Sequence, residues 1–371
     1  MIPCLVFEAS CWDWTHTAEK ARHRLSWLAA RGGHLVVPCE DQPPPLITGL
    51  RIHPVKIVKG ASKGDVSLAV SDFVRKFVSE QSLSFVHCLG LESALAALLG
   101  GRGRVPVIVE PGATPAQRLR DNEPDLRASQ MVDLVDSENR VLTRANAVIA
   151  KTTVEAATLV NRGVLTDNIW TVNDGLPTNI APTLAPELPV IGTMVTDPGD
   201  MDLSVLAAAV MRLKCAWRLC VFFDRRLVSH GSLLREFDPD VVSRIEFIPL
   251  DEDSLVRLQS IQIMVVAPRV GRSLLAGGWS PEGVYWGLAL RRPLLIPDTS
   301  SMRALAGGAG AYYQRDDPAD LAVQLSSFLG NPNERLDKVE RVREHAERFS
   351  WSQSENCIKD LWDITTVHLD L

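Results

Sequence analysis

The sequence predicts an α/β protein built from two doubly wound parallel-sheet domains in tandem. Three observations carry that reading. Short apolar runs alternate with helix-periodic stretches along most of the chain. The alternation breaks at a proline-containing stretch near residues 178–188 and then restarts. The 371 residues are enough for two cores of ordinary size.

Residues 2–7 form an apolar run suited to a buried parallel strand. In the next segment, "THTAEKARHRLSWLAARGG", Ala18, Ala21, Leu25, Leu28 and Ala29 recur at helical spacing, and Gly32-Gly33 closes the helix. "HLVVPCE" and "LRIHPVKI" read as strands, and residues 66–80 as a helix with Leu68, Phe73, Val74 and Phe77 on one side. "LSFVHCLG" is a strand, "LESALAALLGGRG" a helix ending in glycine, and "VPVIVEPG" another strand. A long helix over 126–144, the strand "ANAVIAKT", the helix "VEAATLVNRG" and the closing strand and turn "IWTVNDGLP" complete the first half. Strands restart with "PVIGTMV" and continue through "RLCVFFD", "RIEFIPL", "IQIMVVAP" and "RPLLIPD". Asp316-Asp317-Pro318 starts a helix near Ala319, and amphipathic helices over 334–349 and 354–361 end the chain.

Hydrophobic residues make up 46% of the chain and charged residues 23%, the balance of a globular protein. A net charge of −6 lacks the basic excess of a nucleic-acid binder. The cysteines (Cys4, Cys11, Cys39, Cys88, Cys215, Cys220 and Cys357) form no CxxC, so their spacing supports no metal site. They read as small apolar residues of a reducing compartment. The opening "MIPCLVFEAS" has no basic stretch and reads as a strand, not a signal peptide. Apolar runs such as "SALAALLGG" fall short of the roughly 20 residues a membrane span needs. The expectation is a cytoplasmic protein without a transmembrane segment, with room for peripheral membrane contact and for a protein partner or oligomer.

The order from Ser280 to Trp351 (helix, strand, loop, strand, acidic turn, two helices, then Phe349-Ser350-Trp351) resembles the C-terminal half of the retaining GT-B glycosyltransferases of family four (glycosyl transferases group 1). "TAEKARHRLSWLAARGGHLVVPC" and "FVHCLGLESALAALL" are similar to N-domain segments of that family. So is "ENRVLTRANAVIAKTTVEAATLVNRGVLTDNIWTVNDGLP". The resemblance implies two Rossmann-like domains facing a cleft. It divides the chain into an acceptor-side domain over 1–177, a linker over 178–188 and a donor-side domain over 189–348. Residues 349–371 are then a terminal helix returning to the first domain. The implied activity is transfer of a hexosyl group from a UDP- or GDP-linked sugar to an acceptor, with no metal and no further cofactor.

The donor-site motifs depart from the family. Its second domain opens with Gly-Arg and then Lys-Gly, cations that stabilise charge on the leaving diphosphate. Here Gly192 is kept, Thr193 stands in place of the arginine, and Pro198-Gly199 replaces Lys-Gly. The family's paired glutamates correspond to Gly278 and Trp286, with Glu282 midway. Losing one donor aimed at a developing oxyanion typically costs about 2.7–4 kcal/mol. Replacements for the lost charge are Arg269 and Arg272, and the start of a helix at Ser280-Pro281-Glu282 after Gly277-Gly278, where backbone N–H groups meet an anion. On the acceptor side stand Trp12, Trp14 and His16 after the first strand, His87, and Glu110. Glu110, His87 and Glu282 are the candidates for acid–base work. Plainer readings stand beside these: His87 as a structural histidine, Glu110 as a strand terminus, Gly277-Gly278 as a turn. The functional alternative is a catalytically inactive pseudo-glycosyltransferase that partners an active enzyme. A sugar-nucleotide epimerase fits the terminal helices less well.

Overall fold

The computed structural model describes residues 2–6, 16–39, 48–112, 116, 128–178, 189–195, 203–225, 228–251, 254–267 and 282–367. Two all-parallel sheets organise them.

The first sheet runs β3-β2-β1-β4-β5-β6-β7. Its strands are β1 (Ile2–Val6), β2 (His34–Cys39), β3 (Arg51–Lys56), β4 (Leu83–Leu89), β5 (Val107–Glu110), β6 (Ala147–Ala150) and β7 (Ile169–Thr171). Helices α1 (His16–Ala30), α2 (Lys63–Glu80), α3 (Leu91–Gly101), α4 (Ala128–Arg144) and α5 (Thr153–Asn161) connect them. The second sheet runs β10-β9-β8-β11-β12-β13. It comprises β8 (Val190–Val195), β9 (Arg218–Phe223), β10 (Ile245–Pro249), β11 (Ile263–Val265), β12 (Leu294–Pro297) and β13 (Gly310–Tyr313). Around it lie α6 (Leu203–Val210), α7 (His230–Leu234), α8 (Pro239–Val242), α9 (Ser254–Gln259), α10 (Glu282–Ala289), α11 (Ser300–Ala306), α12 (Pro318–Gly330) and α13 (Pro332–Ala346). The final helix is α14 (Trp351–Val367).

Strand order reverses between β1 and β4 in one sheet and between β8 and β11 in the other. Ligands of open parallel sheets bind at the carboxyl ends of strands beside such a reversal. Period-two alternation explains why both faces are covered. In β4, Val86 and Cys88 enter one cluster with α2 and α3, while Phe85 enters another with α1 and α14. In β8, Ile191 and Val195 face α6 and α12, while Val190 and Met194 face α10 and α13. Burying one such large apolar side chain contributes about 1.5–3 kcal/mol.

Helix boundaries differ from the sequence expectation where capping chemistry acts. The α2 helix starts at Lys63, three residues before 66, because Ser62 and Asp65 form a reciprocal capping box. Likewise α13 starts at Pro332, with Asn331 as its N-cap. The last helix extends well beyond 354–361 because Ile358, Leu361 and Trp362 pack on the first sheet, with Trp362 stacked 5.5 Å from Phe85. Among the described residues no helix is long and apolar enough to cross a membrane.

Candidate functional site

The carboxyl-terminal edge of the first sheet is lined by a buried charge network. One helix and four strand ends supply it. Lys20 and Arg24 lie one turn apart on the same face of α1. His87 sits near the end of β4 and Glu110 ends β5. Lys151 directly follows β6, and Asp174 follows β7.

Glu110 is the hub. Its Oε2 lies 2.6 Å from Lys20 Nζ, and its Oε1 accepts Arg24 Nε–H at 2.7 Å. His87 Nε2 stands 3.1 Å from the same Oε1. Arg24, with no exposed surface, also donates Nη1–H to Ser354 Oγ at 3.2 Å and lies 3.6 Å from Asp174 Oδ1. Asp174 Oδ2 pairs with Lys151 Nζ at 2.9 Å. The Lys151 backbone N–H donates to Glu155 Oε2 at 2.6 Å.

The protonation states follow from these partners. Trp362 Nε1–H donates to His87 Nδ1 at 3.1 Å. An indole N–H only donates, so Nδ1 is the bare nitrogen and the imidazole proton sits on Nε2, facing Glu110. Burial lowers the His87 pKa, and the ring stays neutral. Burial alone would raise the Glu110 pKa, yet Arg24 and Lys20 hold it well below the usual carboxylate range. For Lys151, burial opposes the charge and Asp174 overcomes it, raising the pKa. Glu155 is different: burial pushes it up to about 7 despite the Lys151 amide.

This arrangement supports the plainer readings of His87 and Glu110. A carboxylate neutralised by two cations is a poor base, and a fully buried imidazole held by Trp362 cannot reach a sugar hydroxyl. Both fix the edge of the sheet instead. The sequence reading missed Lys20, Arg24, Lys151, Glu155 and Asp174. Lys151 and Asp174 carried a usable signal, since both lie just after strands. Lys20 and Arg24 are hidden among Ala21, Leu25 and Leu28, whose spacing reads as an ordinary apolar helix face.

On the second sheet, Gly192, Thr193 and Trp286 are core residues. Thr193 has no exposed surface, and Trp286, 4% exposed, belongs to the buried cluster that also holds Met264 and Leu294. A Cβ on Gly192 would stand 2.2 Å from Ile261 Cδ1. Gly192→Ala is therefore expected to overpack the β8–Ile261 contact and cost about 1–3 kcal/mol, read as a lower thermal midpoint. Glu282 opens α10 and is buried. His16 opens α1. Trp12, Trp14, Arg269, Arg272, Gly277, Gly278 and Ser280 lie outside the described residues, as does Pro198-Gly199.

A groove of about 670 Å³ lined by Val105, Asn146, Trp170 and Ile364 opens at the opposite, amino-terminal ends of β5 and β6. Open parallel sheets bind their ligands at the other end.

Two parallel sheets with these switch points, joined by a C-terminal helix that returns to the first sheet, can be set against known proteins. Residues 17–175 match the family model described as a glycosyl transferase 4-like domain. The chain resembles the GT-B glycosyltransferases. Sucrose-phosphate synthase (tll1590) from Thermosynechococcus elongatus superposes with a TM-score of 0.77 at 14% identity, over 99% of this chain and 100% of that one. Anabaena Alr3699/HepE in complex with UDP and glucose superposes at 0.73 with 10% identity, over 98% and 99%. The lipopolysaccharide outer core galactosyltransferase WaaB in its apo form gives 0.69 with 12% identity, over 100% and 99%. A search of curated protein sequences finds no match. Identities this low establish the GT-B fold and leave the chemistry to the site.

Proposed function

We propose that this GT-B protein takes a UDP- or GDP-linked sugar between the carboxyl-terminal edges of its two sheets and transfers the hexosyl group to an acceptor hydroxyl. The observation that supports this reading most is the GT-B fold itself, shared along nearly the full chain with HepE, which was solved in complex with UDP-glucose. In this reading the anomeric carbon leaves the diphosphate oxygen and bonds to the acceptor oxygen. The nucleoside diphosphate departs, and the acceptor's proton passes to solvent or to the departing phosphate. Arg269, Arg272 and the backbone of Gly277, Gly278 and Ser280 would hold the diphosphate ahead of α10, beside Glu282. Trp12, Trp14 and His16 would meet the acceptor. The acceptor-side domain spans 1–177 and the donor-side domain 189–348, and phosphate charge is met by protein groups without a metal.

A specific observation favours the alternative, a pseudo-glycosyltransferase that partners an active enzyme. Lys20, Arg24 and Lys151 are all engaged by carboxylates, and Thr193 is walled into the core. Calorimetric titration with UDP-glucose, GDP-mannose, UDP and GDP separates the readings. Saturable binding, weakened about tenfold or more by Arg269→Ala or Arg272→Ala, is expected for the first, together with release of nucleoside diphosphate. Binding without release under any acceptor supports the alternative. No heat with any of the four, from folded protein, sinks hexosyl transfer from those donors.

A further inference from the structure

We propose that two adjoining grooves at the amino-terminal edge of the first sheet form a docking surface for an acidic amphipathic helix of a partner protein. The surface lies at the opposite end of the sheet from the charge network, and the proposal stands whether or not the protein transfers a sugar.

The first groove, about 670 Å³, has Val105, Pro106, Trp170, Leu361 and Ile364 in its wall, together with the exposed Arg144. The second, about 400 Å³, is lined by Arg75, Lys76, Arg102 and Arg104. The loop after α3 is the ridge between them. Its residues alternate: Gly103 and Val105 line the first groove, Arg102 and Arg104 the second. Asp72 answers Arg75 at 3.0 Å, and Glu80 stands 4.0 Å from Lys76. Arg102, Arg104 and Arg144 are exposed and have no acidic partner among the described residues. This local basic excess runs against the chain's net charge of −6.

Helix ends account for part of it, since cations are favoured at a helix C-terminus, where Arg144 sits. They do not account for Arg102. It caps α3 in the left-handed region, with φ 48° and ψ 38°, a conformation that glycine adopts freely and a Cβ disfavours. Glycines stand on both sides of it, Gly101 and Gly103, yet arginine holds the left-handed position. A strained, exposed cation is the kind of residue a binding surface retains.

Shape and charge select the occupant. Val105 and Leu361 are only 4% and 1% exposed, so this apolar wall is recessed and does not enter a flat bilayer. It accepts side chains that protrude from a partner. The groove opens across the ends of β5 and β6, which are interior strands, so no strand is added there. A helix meets both demands. Apolar side chains along one face enter the first groove, and carboxylates beside them meet Arg102, Arg104 and Arg144.

The test is fluorescence anisotropy with a labelled synthetic helix carrying leucine along one face and glutamate on the rest, and with its twin carrying lysine for glutamate. The glutamate helix is expected to bind saturably, and more weakly as salt rises, and the lysine twin not to bind. Arg102→Gly should weaken binding about tenfold while its thermal midpoint stays at or above the native value, a split that a structural role for Arg102 would not give. Ile364→Asp, at a position 46% exposed, should weaken binding as much. Arg343→Ala, which removes an exposed arginine of α13, should change nothing. Circular dichroism checks folding, and if Ile364→Asp does not fold, Arg104→Ala with Arg144→Ala takes its place. Equal binding of the two helices overturns the proposal, as does native affinity in the folded variants. So does any of three results that assign the surface to another occupant. The first is binding to phosphatidylglycerol vesicles lost in the same variants. The second is self-association in sedimentation lost in those variants. The third is a large gain in affinity when the chain is shortened after Val367.

Discussion

Glu110→Ala is expected to destabilise the protein by about 3–5 kcal/mol, the usual cost of removing one partner from a buried ion pair. The reason is what stays behind. Arg24 has no exposed surface and Lys20 little, so neither can turn to water when the carboxylate is gone. His87 Nε2, 3.1 Å from the carboxylate, loses its polar neighbour as well. Glu110→Gln keeps the shape and one acceptor but not the charge, and should fall between the alanine variant and the native chain. Pairing Glu110→Gln with Arg24→Met should recover part of the loss, because an apolar replacement of a whole buried pair is often neutral. The pH dependence has a definite sign. The Glu110 pKa is depressed in the folded state, so its contribution is present above the unfolded value of 4.5 and is lost as pH falls through the folded pKa. Denaturant titrations at pH 7 and pH 4 read both effects. A change of less than about 1 kcal/mol in the alanine variant would show that the network is not held by its hub.

The fold was legible in the sequence because parallel strands buried on both faces announce themselves as apolar runs, and their glycine-closed helices as helical periods. Two parallel sheets in tandem follow from that rhythm, and the GT-B arrangement from the resemblance to that family. Helix starts were less legible. Ser62 and Asp65 cap α2 through side chains that look like loop residues in a row of letters. The site was legible by position more than by role. Glu110 ends β5 and His87 lies near the end of β4, yet their tasks depend on Lys20, Arg24 and Trp362, distant in sequence and brought together only by folding. Trp362 and Glu110 are linked through one imidazole across more than 250 residues, and no local pattern encodes such a contact. Thr193 and Trp286 are a different case. They stand at the family's donor-motif positions, and strand alternation and helix packing bury both side chains in the core.

Glu155→Gln is expected to remove a pH-dependent loss of stability of roughly 3 kcal/mol between about pH 4.5 and 8. Glu155 is 6% exposed, and burial pushes its pKa from 4.5 up to about 7. A carboxyl whose folded pKa is raised binds its proton more tightly in the native state. The native chain is therefore penalised as pH rises above the unfolded value, and fully so above about 7. The amide of the Glu155→Gln variant keeps an acceptor for the Lys151 N–H and has no proton to lose, so its contribution should be flat. The buried histidines act in the other direction. Burial lowers the pKa of His34 and His87, so they erode stability as pH falls below 6.5. Subtracting the variant's profile from the native one cancels them and isolates Glu155. The same titration changes the charge of the sheet edge. Lys20, Arg24 and Lys151 face Glu110 and Asp174 at all pH values near neutrality, so a protonated Glu155 leaves one positive charge in excess and an ionised Glu155 leaves none. An anionic donor placed against this edge should bind more tightly at pH 6 than at pH 8 in the native chain, and Glu155→Gln should flatten that difference. A variant whose stability and binding both track pH as the native protein does would show that another group carries the proton.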